Sequence, residues 1–280
     1  MKTVADPAGL DDALAGGRAT GERIVLVPTM GNLHDGHLSL LRTARDSGDL
    51  VVATIFVNPF QFGENEDFDS YPRTLEPDLQ RLQAMECDLV FIPKIKDVYP
   101  RGAEQSTWVE VPGISSILCG RQRPGFFRGV ATVVNILFNM VRPDAAVFGE
   151  KDYQQLLVIR RMVEDLRMTI EILAGETVRN PDGLAMSSRN SYLTPAEREL
   201  APMIYQQLKK VRGELIGGER DYKAACARAI DALRSAGFRP DYFEVRRAQD
   251  LGLPQTVDDE LRILAAAWLG KARLIDNVAV

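Results

Sequence analysis

Residues 23–37, RIVLVPTMGNLHDGH, carry the clearest indication of the fold class. This stretch opens with a short β-branched apolar run at 23–27, continues through a turn that contains glycine, and leads into a helix around His37. A run that is apolar throughout, rather than at alternate residues, is typical of a strand covered on both faces. The stretch therefore predicts a buried strand with a polar loop at its carboxyl end.

The same pattern recurs through the first two-thirds of the chain. Further strand-like runs lie at 50–57, 88–92 and 145–148, and amphipathic segments lie at 38–45, 75–85, 130–141 and 153–166. Strands that alternate with helices in this way predict an α/β fold, a parallel sheet with helices on both faces.

The last hundred residues differ in pattern. Thr194-Pro195-Ala196-Glu197 combines a capping residue, a proline in the first turn and an acid, which predicts a helix to about residue 216. A Gly-Gly pair then breaks the helix, a second helix is expected at 222–235, and strands are expected at 242–246 and 261–268. We expect a smaller α+β C-terminal domain, with domains at 1–176 and 177–280.

Composition argues against several classes of protein. The net charge of −5 is opposite in sign to the basic surface of a nucleic-acid-binding protein. No apolar run approaches the length of a membrane span, and the first residues lack the apolar core of a signal peptide. The widely spaced Cys87, Cys119 and Cys226 predict neither a disulfide framework nor a zinc site, which fits a reducing cytoplasm.

The only two histidines of the chain, His34 and His37, lie three residues apart in the loop after the first long strand. Active sites of open α/β sheets lie at the carboxyl ends of strands, and a helix N-terminus offers N–H groups and partial positive charge to a phosphate. The pair therefore predicts a phosphate-binding site. A pair of surface loop histidines is the alternative, and a metal site is less favoured because there is neither an HExxH arrangement nor a clear third ligand.

Three other segments carry candidate groups. Phe148–Gln155, FGEKDYQQ, places Lys151 where a strand runs through glycine into a helix, so that its ammonium group can act as a point charge on a phosphate. Asp182–Asn190, DGLAMSSRN, offers two hydroxyls and a guanidinium to phosphate oxygens. Asn58–Phe62, NPFQF, offers amides to a small substrate. Taken singly, the first two could equally be an exposed lysine and a capped turn, and the third would be better explained as an ordinary Asn-Pro turn.

Together these segments resemble the pantothenate synthetase (pantoate–β-alanine ligase) family from end to end. PTMGNLHDGH resembles that family's form of the HIGH motif, which nucleotidylyltransferases share with class I aminoacyl-tRNA synthetases. FVNPFQF, FRGVATVV, FGEKDYQQL, DGLAMSSRN and AAWLGKARLIDN match further stretches of the family, and MSSRN occupies the place of the KMSKS loop. The HIGH motif alone would indicate only nucleotidyl transfer, whereas the ordered set is much more specific.

The resemblance implies a reaction and an architecture. The family condenses (R)-pantoate with β-alanine in an ATP- and Mg²⁺-dependent reaction that passes through a pantoyl-adenylate and releases AMP and pyrophosphate. Its members are typically cytoplasmic homodimers with a Rossmann-like N-terminal domain and a smaller C-terminal lid.

The resemblance also implies roles for individual residues. Residues implied to contact ATP are Met30, Gly31, Asn32, Leu33, His34, Asp35, Gly36, His37, Gly149, Glu150, Lys151, Asp152, Val178, Met186, Ser187, Ser188 and Arg189. Those implied to act on the reacting phosphates are His34, His37, Lys151, Ser187 and Ser188, with His37 at the catalytic position. Gln61 and Gln155 are implied to hold pantoate, and no residue is assigned to a metal.

One position departs from the family. Phe126, in RPGFFRG at 123–129, replaces a usual histidine, which puts any role of that histidine in doubt here.

Rival functions are disfavoured by the same residues. If the chain were another small nucleotidylyltransferase, FVNPFQF and Gln155 would have no explanation. If it were a tRNA synthetase, its 280 residues would leave no room for an anticodon-binding domain. A catalytically silent nucleotide-binding protein does not explain the combination of both histidines, Lys151 and the Ser-Ser-Arg loop.

Overall fold

The computed structural model describes residues 1–63, 68–102, 105–255 and 260–280. The chain divides into two compact units. The first unit contains Met1–Glu150 and Val158–Glu176, and the second contains Lys151–Leu157 and Thr177–Val280. The sequence-based boundary near residue 176 leaves Lys151–Leu157 with the first domain, whereas this grouping places it with the C-terminal residues.

The first unit is built on a six-stranded sheet in which every neighbouring pair of strands is parallel. Its strands are β1 Lys2–Val4, β2 Ile24–Thr29, β3 Leu50–Ile55, β4 Leu89–Phe91, β5 Ala145–Gly149 and β6 Glu171–Gly175. Its helices are α1 Pro7–Thr20, α2 Asp35–Ser47, α3 Leu75–Ala84, α4 Ile95–Val98, α5 Cys119–Gln122 and α6 Phe126–Val141. A further helix, α7 Tyr153–Asp165, begins among residues of the second unit and ends among those of the first.

Helices cover both faces of this sheet, as the apolar strands predicted. Val147 of β5 belongs to the same buried cluster as Leu41 and Ala44 of α2. The next residue, Phe148, points to the opposite face and lies edge-on to Phe138 of α6, with ring centroids 6.3 Å apart. The predicted parallel sheet with helices on both faces is therefore confirmed.

The order of the strands creates a crevice at one point of the sheet. The order is β1-β4-β3-β2-β5-β6, so successive connections run in opposite directions on the two sides of the boundary between β2 and β5. In open α/β sheets, ligands bind outside the carboxyl ends of the strands at such a reversal. The loop after β2 and the end of β5 at Gly149 lie at that edge.

Five elements of the first unit had not been predicted: β1, β6, α1 and the four-residue helices α4 and α5, which are too short to show a periodic pattern. Strand β1 has only three residues and pairs only with β4, and β6 is a half-exposed edge strand, so neither shows a buried apolar run. Helix α1, PAGLDDALAGGRAT, contains three glycines, which lower helix propensity and blur the periodic pattern. Helix α2 begins at Asp35, slightly before the expected start around His37.

The described residues of the second unit include, besides the start of α7, three helices and a three-stranded antiparallel sheet. The helices are α8 Pro195–Leu200, α9 Met203–Ile216 and α10 Tyr222–Ser235, and the strands, in the spatial order β7-β8-β9, are Arg239–Arg247, Leu261–Leu269 and Ala272–Ala279. A buried cluster that includes Leu208 of α9, Leu233 of α10 and Ile263 of β8 joins the layers. The predicted α+β character is confirmed.

Two details of the second unit differ from expectation. The prediction of a single helix from Thr194 to residue 216 is wrong, because the chain turns at Ala201-Pro202 between α8 and α9. Proline lacks the N–H that would continue α8, and its ring collides with the carbonyl four residues earlier. Strand β9 had not been expected, because it carries the buried polar residues Asp276 and Asn277, which are depleted in strands.

Candidate active site

The two histidines form a reciprocal cap at the start of α2. The Nδ1 atom of His34 accepts the backbone N–H of Gly36 at 3.1 Å, and Nδ1 of His37 accepts the backbone N–H of His34 at 3.3 Å. Their ring centroids are 4.1 Å apart. Because Nδ1 accepts in both rings, the neutral side chains carry their protons on Nε2. The arrangement therefore supplies two N–H donors at a helix N-terminus, the end that attracts anions.

The backbone that carries the histidines is held by a carboxylate that sequence reasoning missed. Asp78 of α3 is buried, and its two oxygens accept the backbone N–H groups of Asn32 and Leu33, each at 2.8 Å. Gly31 and Asn32 both have positive φ angles, 79° and 49°, so this turn needs outside support. An acid four residues before the buried Leu82, on the inner face of a helix, was the available signal.

The loop after β3 is fixed by Asn58, which is buried and bonded within the protein. Its Nδ2 donates to the carbonyl of Gly129 at 3.2 Å, and its Oδ1 accepts the hydroxyl of Tyr99 at 2.8 Å. Burial raises the pKa of Tyr99, which keeps this hydroxyl protonated as a donor. Asn58 therefore shapes the loop that presents Gln61, and its own amide is engaged by the protein.

Phe126, the departure from the family, contacts Arg123, which is hydrogen-bonded to Gln61. The guanidinium of Arg123 lies 3.7 Å from the centroid of the Phe126 ring, and its Nη2 donates to the carbonyl of Gln61 at 2.9 Å. A stacked guanidinium is oriented by the ring beneath it. Phe126 therefore influences the position of the Gln61 backbone through Arg123.

The end of β5 lies beside the histidine loop within the first unit. Strand β5 pairs directly with β2, with Val25 opposite Ala145 and Leu26 opposite Ala146. Gly149 ends β5, and a Cβ atom there would lie no nearer than 3.9 Å to another side chain, that of Leu40. Space above the end of this strand is what close approach of a nucleotide requires.

Lys151 is held in the second unit by its backbone. Its carbonyl accepts the side-chain amide of Asn277 at 3.0 Å. The ammonium group lies 3.7 Å from a carboxylate oxygen of Asp152, and the Lys151 side chain is 19% exposed. The charge is therefore partly shielded from water and remains within reach of a ligand.

The segment 178–190 forms a closed turn that leads to the two serines. The backbone N–H of Met186 donates to the carbonyl of Val178 at 3.0 Å, and Arg179 pairs with Ala185 in an isolated bridge. The hydroxyl of Ser187 accepts the backbone N–H of Arg189 at 3.3 Å at the start of a short 3-10 helix. The local structure is thus a capped turn, and an accepting hydroxyl still has a proton to donate.

The predicted site residues divide between the two units. Those in the first unit are Met30, Gly31, Asn32, Leu33, His34, Asp35, Gly36, His37, Gln61, Gly149 and Glu150. Those in the second unit are Lys151, Asp152, Gln155, Val178, Met186, Ser187, Ser188 and Arg189.

Neither a metal-binding cluster nor a membrane-spanning helix is found among the described residues. No group of three or more His, Cys, Asp or Glu side chains could hold a metal ion there. Within the same residues, the structure contains no helix both long and apolar enough to cross a membrane.

Comparison with known proteins identifies the family. The model of the pantoate-β-alanine ligase family matches residues 2–279. The pantothenate synthetases of Stutzerimonas stutzeri and Thioalkalivibrio sulfidiphilus are 54% and 56% identical over 280 residues, covering 100% of this chain and 98% of each relative. The crystal structure of the Thermus thermophilus pantothenate synthetase is 44% identical and superimposes with a TM-score of 0.92 over 99% of both chains.

A second solved structure carries ligands. The Francisella tularensis pantoate-β-alanine ligase, complexed with β-γ ATP and β-alanine, is 34% identical, with a TM-score of 0.84 over 100% of this chain and 97% of its own. The match by sequence and by structure thus runs from end to end of both proteins. This chain belongs to the pantoate-β-alanine ligase family, whose members form an amide bond.

Proposed function

We propose that this chain condenses (R)-pantoate with β-alanine, consumes ATP, and releases AMP and pyrophosphate through a pantoyl-adenylate. The observation that carries the proposal is the reciprocal histidine cap, which presents two Nε2 donors at a helix N-terminus where the strand order reverses. The Francisella relative, solved with β-γ ATP and β-alanine, supports ATP and β-alanine as two of the three substrates.

The first step must bring a carboxylate to a polyanion. A pantoate carboxylate oxygen attacks the α-phosphorus of ATP, and the bond from that phosphorus to the bridging oxygen breaks as pyrophosphate leaves. The protein must offset the negative charge and align the reactants. The proposed donors are His34, His37, Lys151, Ser187 and Ser188, with the N-terminus of α2.

Binding roles follow from the same proposal. Residues proposed to line the nucleotide site are Met30, Gly31, Asn32, Leu33, Asp35, Gly36, Gly149, Glu150, Asp152, Val178, Met186 and Arg189. Gln61 and Gln155 are proposed to hold pantoate through their amides. The guanidinium of Arg123 on the carbonyl of Gln61 supports a fixed position for the first of these.

The second step is amide formation. The neutral amine of β-alanine attacks the acyl carbon of the adenylate, AMP departs with the bonding electrons, and the amine loses a proton. Water must be excluded because the mixed anhydride hydrolyses readily. We propose that residues 1–176 bind ATP and pantoate, and that residues 177–280, which carry the serine loop, act as the lid.

Magnesium fits this site as a companion of ATP. Mg²⁺ usually binds through one or two carboxylates together with substrate phosphates, rather than in an all-protein cage. We propose that the carboxylate of Asp152, whose side chain is 45% exposed beside Lys151, would hold the ion. When bound, it would offset charge on the phosphates. The family resemblance also leads us to propose a cytoplasmic homodimer. Sedimentation of the purified protein tests the dimeric state.

The order of the two steps provides the test. Exchange of labelled pyrophosphate into ATP should require pantoate and should proceed without β-alanine, because adenylation comes first. AMP release at steady state should require all three substrates. Exchange that β-alanine alone supports, or AMP release that ignores pantoate, would contradict the proposal.

A further inference from the structure

Both segments of the second unit that bear proposed phosphate ligands are tied to two adjacent residues of β9. We infer that Asn277 and Asp276, the latter through Arg179, are positioning residues that hold Lys151 and the serine loop in the arrangement needed for adenylation. The inference rests on the proposed function, because it concerns residues proposed to contact ATP. It adds residues that touch no substrate in that proposal.

Asn277 fixes the backbone of Lys151. Its Nδ2 donates to the Lys151 carbonyl at 3.0 Å, while its Oδ1 accepts Nε of Arg262 at 2.7 Å. The Arg262 guanidinium lies 3.8 Å from the ring centroid of Tyr153, two residues after Lys151. Lys151 is thus attached to the sheet at its own carbonyl and at the start of the helix that follows.

Asp276 fixes the turn that leads to the serines. Its two carboxylate oxygens accept Nη1 and Nη2 of Arg179 at 2.6 and 2.8 Å, a bidentate pair. Arg179 Nη1 also donates to the carbonyl of Gly183 at 3.1 Å, and the guanidinium lies 3.8 Å from the ring centroid of Tyr205. The turn from Arg179 to Ala185 is therefore anchored at a buried carboxylate.

The two anchors are coupled to each other. The backbone N–H of Asn277 donates to Oδ1 of Asp276 at 2.8 Å, and Arg179 Nη2 donates to the carbonyl of Asn277 at 3.3 Å. A shift of the turn must therefore disturb the residue that holds Lys151. Through this connection, two segments distant in sequence keep a fixed spacing.

Stability alone gives little reason for such a pair. The Asp276 side chain is 1% exposed and that of Arg179 is 18% exposed, so both charges have lost most of their hydration. A buried ion pair often stabilises a fold no more than apolar residues of similar volume. What apolar residues cannot supply is the bidentate geometry that sets the direction of the turn.

Separate assays of the two half-reactions test the inference. Asn277→Ala should lower pantoate-dependent pyrophosphate exchange about 10- to 100-fold, the scale for a displacement near 1 Å in a reacting site. Amide formation from supplied pantoyl-adenylate and β-alanine should change much less, because the outer phosphates have already left. Equal losses in the two half-reactions would overturn the inference, because they would indicate a merely structural role.

A double variant separates positioning from folding. Arg179→Met with Asp276→Leu removes both charges and keeps apolar volume, so the thermal midpoint should stay near that of the wild type. Adenylation should still fall about 10- to 100-fold. A folded double variant with wild-type adenylation would overturn the inference.

A matched control lies in the same sheet. Arg273 Nε donates to Asp241 at 2.8 Å in a pair whose side chains are only 10% and 15% exposed. Asp241→Asn should lower the thermal midpoint without changing the ratio of the half-reaction rates, and an equal change in that ratio would overturn the inference. If instead the proposed function were wrong, the wild-type protein itself would show no pantoate-dependent exchange of pyrophosphate into ATP.

Discussion

At the scale of single residues, each histidine of the site serves both as a helix cap and as a candidate donor. The two roles use different ring atoms, because Nδ1 caps α2 and Nε2 carries the proton offered to ATP. His34→Asn with His37→Gln keeps side chains that favour these capping positions and replaces each imidazole Nε2–H by an amide N–H in a different position. We expect a thermal midpoint near that of the wild type, with adenylation reduced by at least about 10²–10³, the scale for one lost preorganised donor.

Alanine at both positions is the matched comparison. His34→Ala with His37→Ala removes caps and donors together, so it should lose about 1 kcal/mol or more of unfolding free energy in addition to activity. Calorimetry and pyrophosphate exchange on the two double variants separate the roles. Wild-type activity in both double variants, including the one without any side-chain donor, would mean that the histidines only cap the helix.

At the scale of elements, close packing of α6 against the loop after β3 holds the segment that presents Gln61. A Cβ atom at Gly129 would lie 2.2 Å from the carbonyl oxygen of Phe60, and the Gly129 carbonyl accepts the amide of Asn58. Alanine is intrinsically better than glycine inside a helix by about 1 kcal/mol, so propensity and packing predict opposite signs for Gly129→Ala. We expect packing to prevail, with a lower thermal midpoint and a higher KM for pantoate.

The matched control is a glycine in α9. A Cβ atom at Gly213 would meet nothing within 4 Å, so Gly213→Ala should raise the unfolding free energy by up to about 1 kcal/mol and leave the KM for pantoate unchanged. Chemical denaturation and steady-state kinetics measure both. If Gly129→Ala also stabilised the protein, the close approach would not constrain the loop.

At the scale of the whole molecule, each compact unit buries a cysteine whose ionisation is suppressed. Burial raises the pKa of Cys87 and of Cys226 from 9.0 to about 11. Between those values the unfolded chain loses its thiol protons before the folded one does, so these thiols make stability fall as pH rises from 9 to 11. We expect the thermal midpoint to decline across this window, and to decline less in Cys87→Ala with Cys226→Ala.

The control for this prediction lies at neutral pH. Below about pH 8 both thiols are protonated in the folded and unfolded states, so the double variant should show only the constant loss from its smaller side chains. Midpoints measured at intervals from about pH 7 to about pH 11 give both curves. Parallel curves in the alkaline range would show that the two thiols do not contribute to the loss of stability there.

Local sequence patterns were enough to predict the elements whose signal is strong. Burial on both faces leaves few polar residues in strands β2, β3, β4 and β5, so each is visible as an apolar run. Helices α2, α3, α6 and α7 are visible as periodic, amphipathic stretches. The segments with candidate chemistry were equally visible, since strand, glycine and helix follow one another within a few residues. The family resemblance rested on those same segments in order.

The contacts between residues distant in sequence became visible only in the folded protein. The order of the strands, the pairing of β1, β6 and β9, and the break between α8 and α9 depend on partners far along the chain or on packing. Asp78 beneath the histidine loop and Asn277 beneath Lys151 were missed for the same reason. A single carboxylate or amide has no periodic signal, and its role appears only when folding places its oxygen or nitrogen against the backbone of another segment.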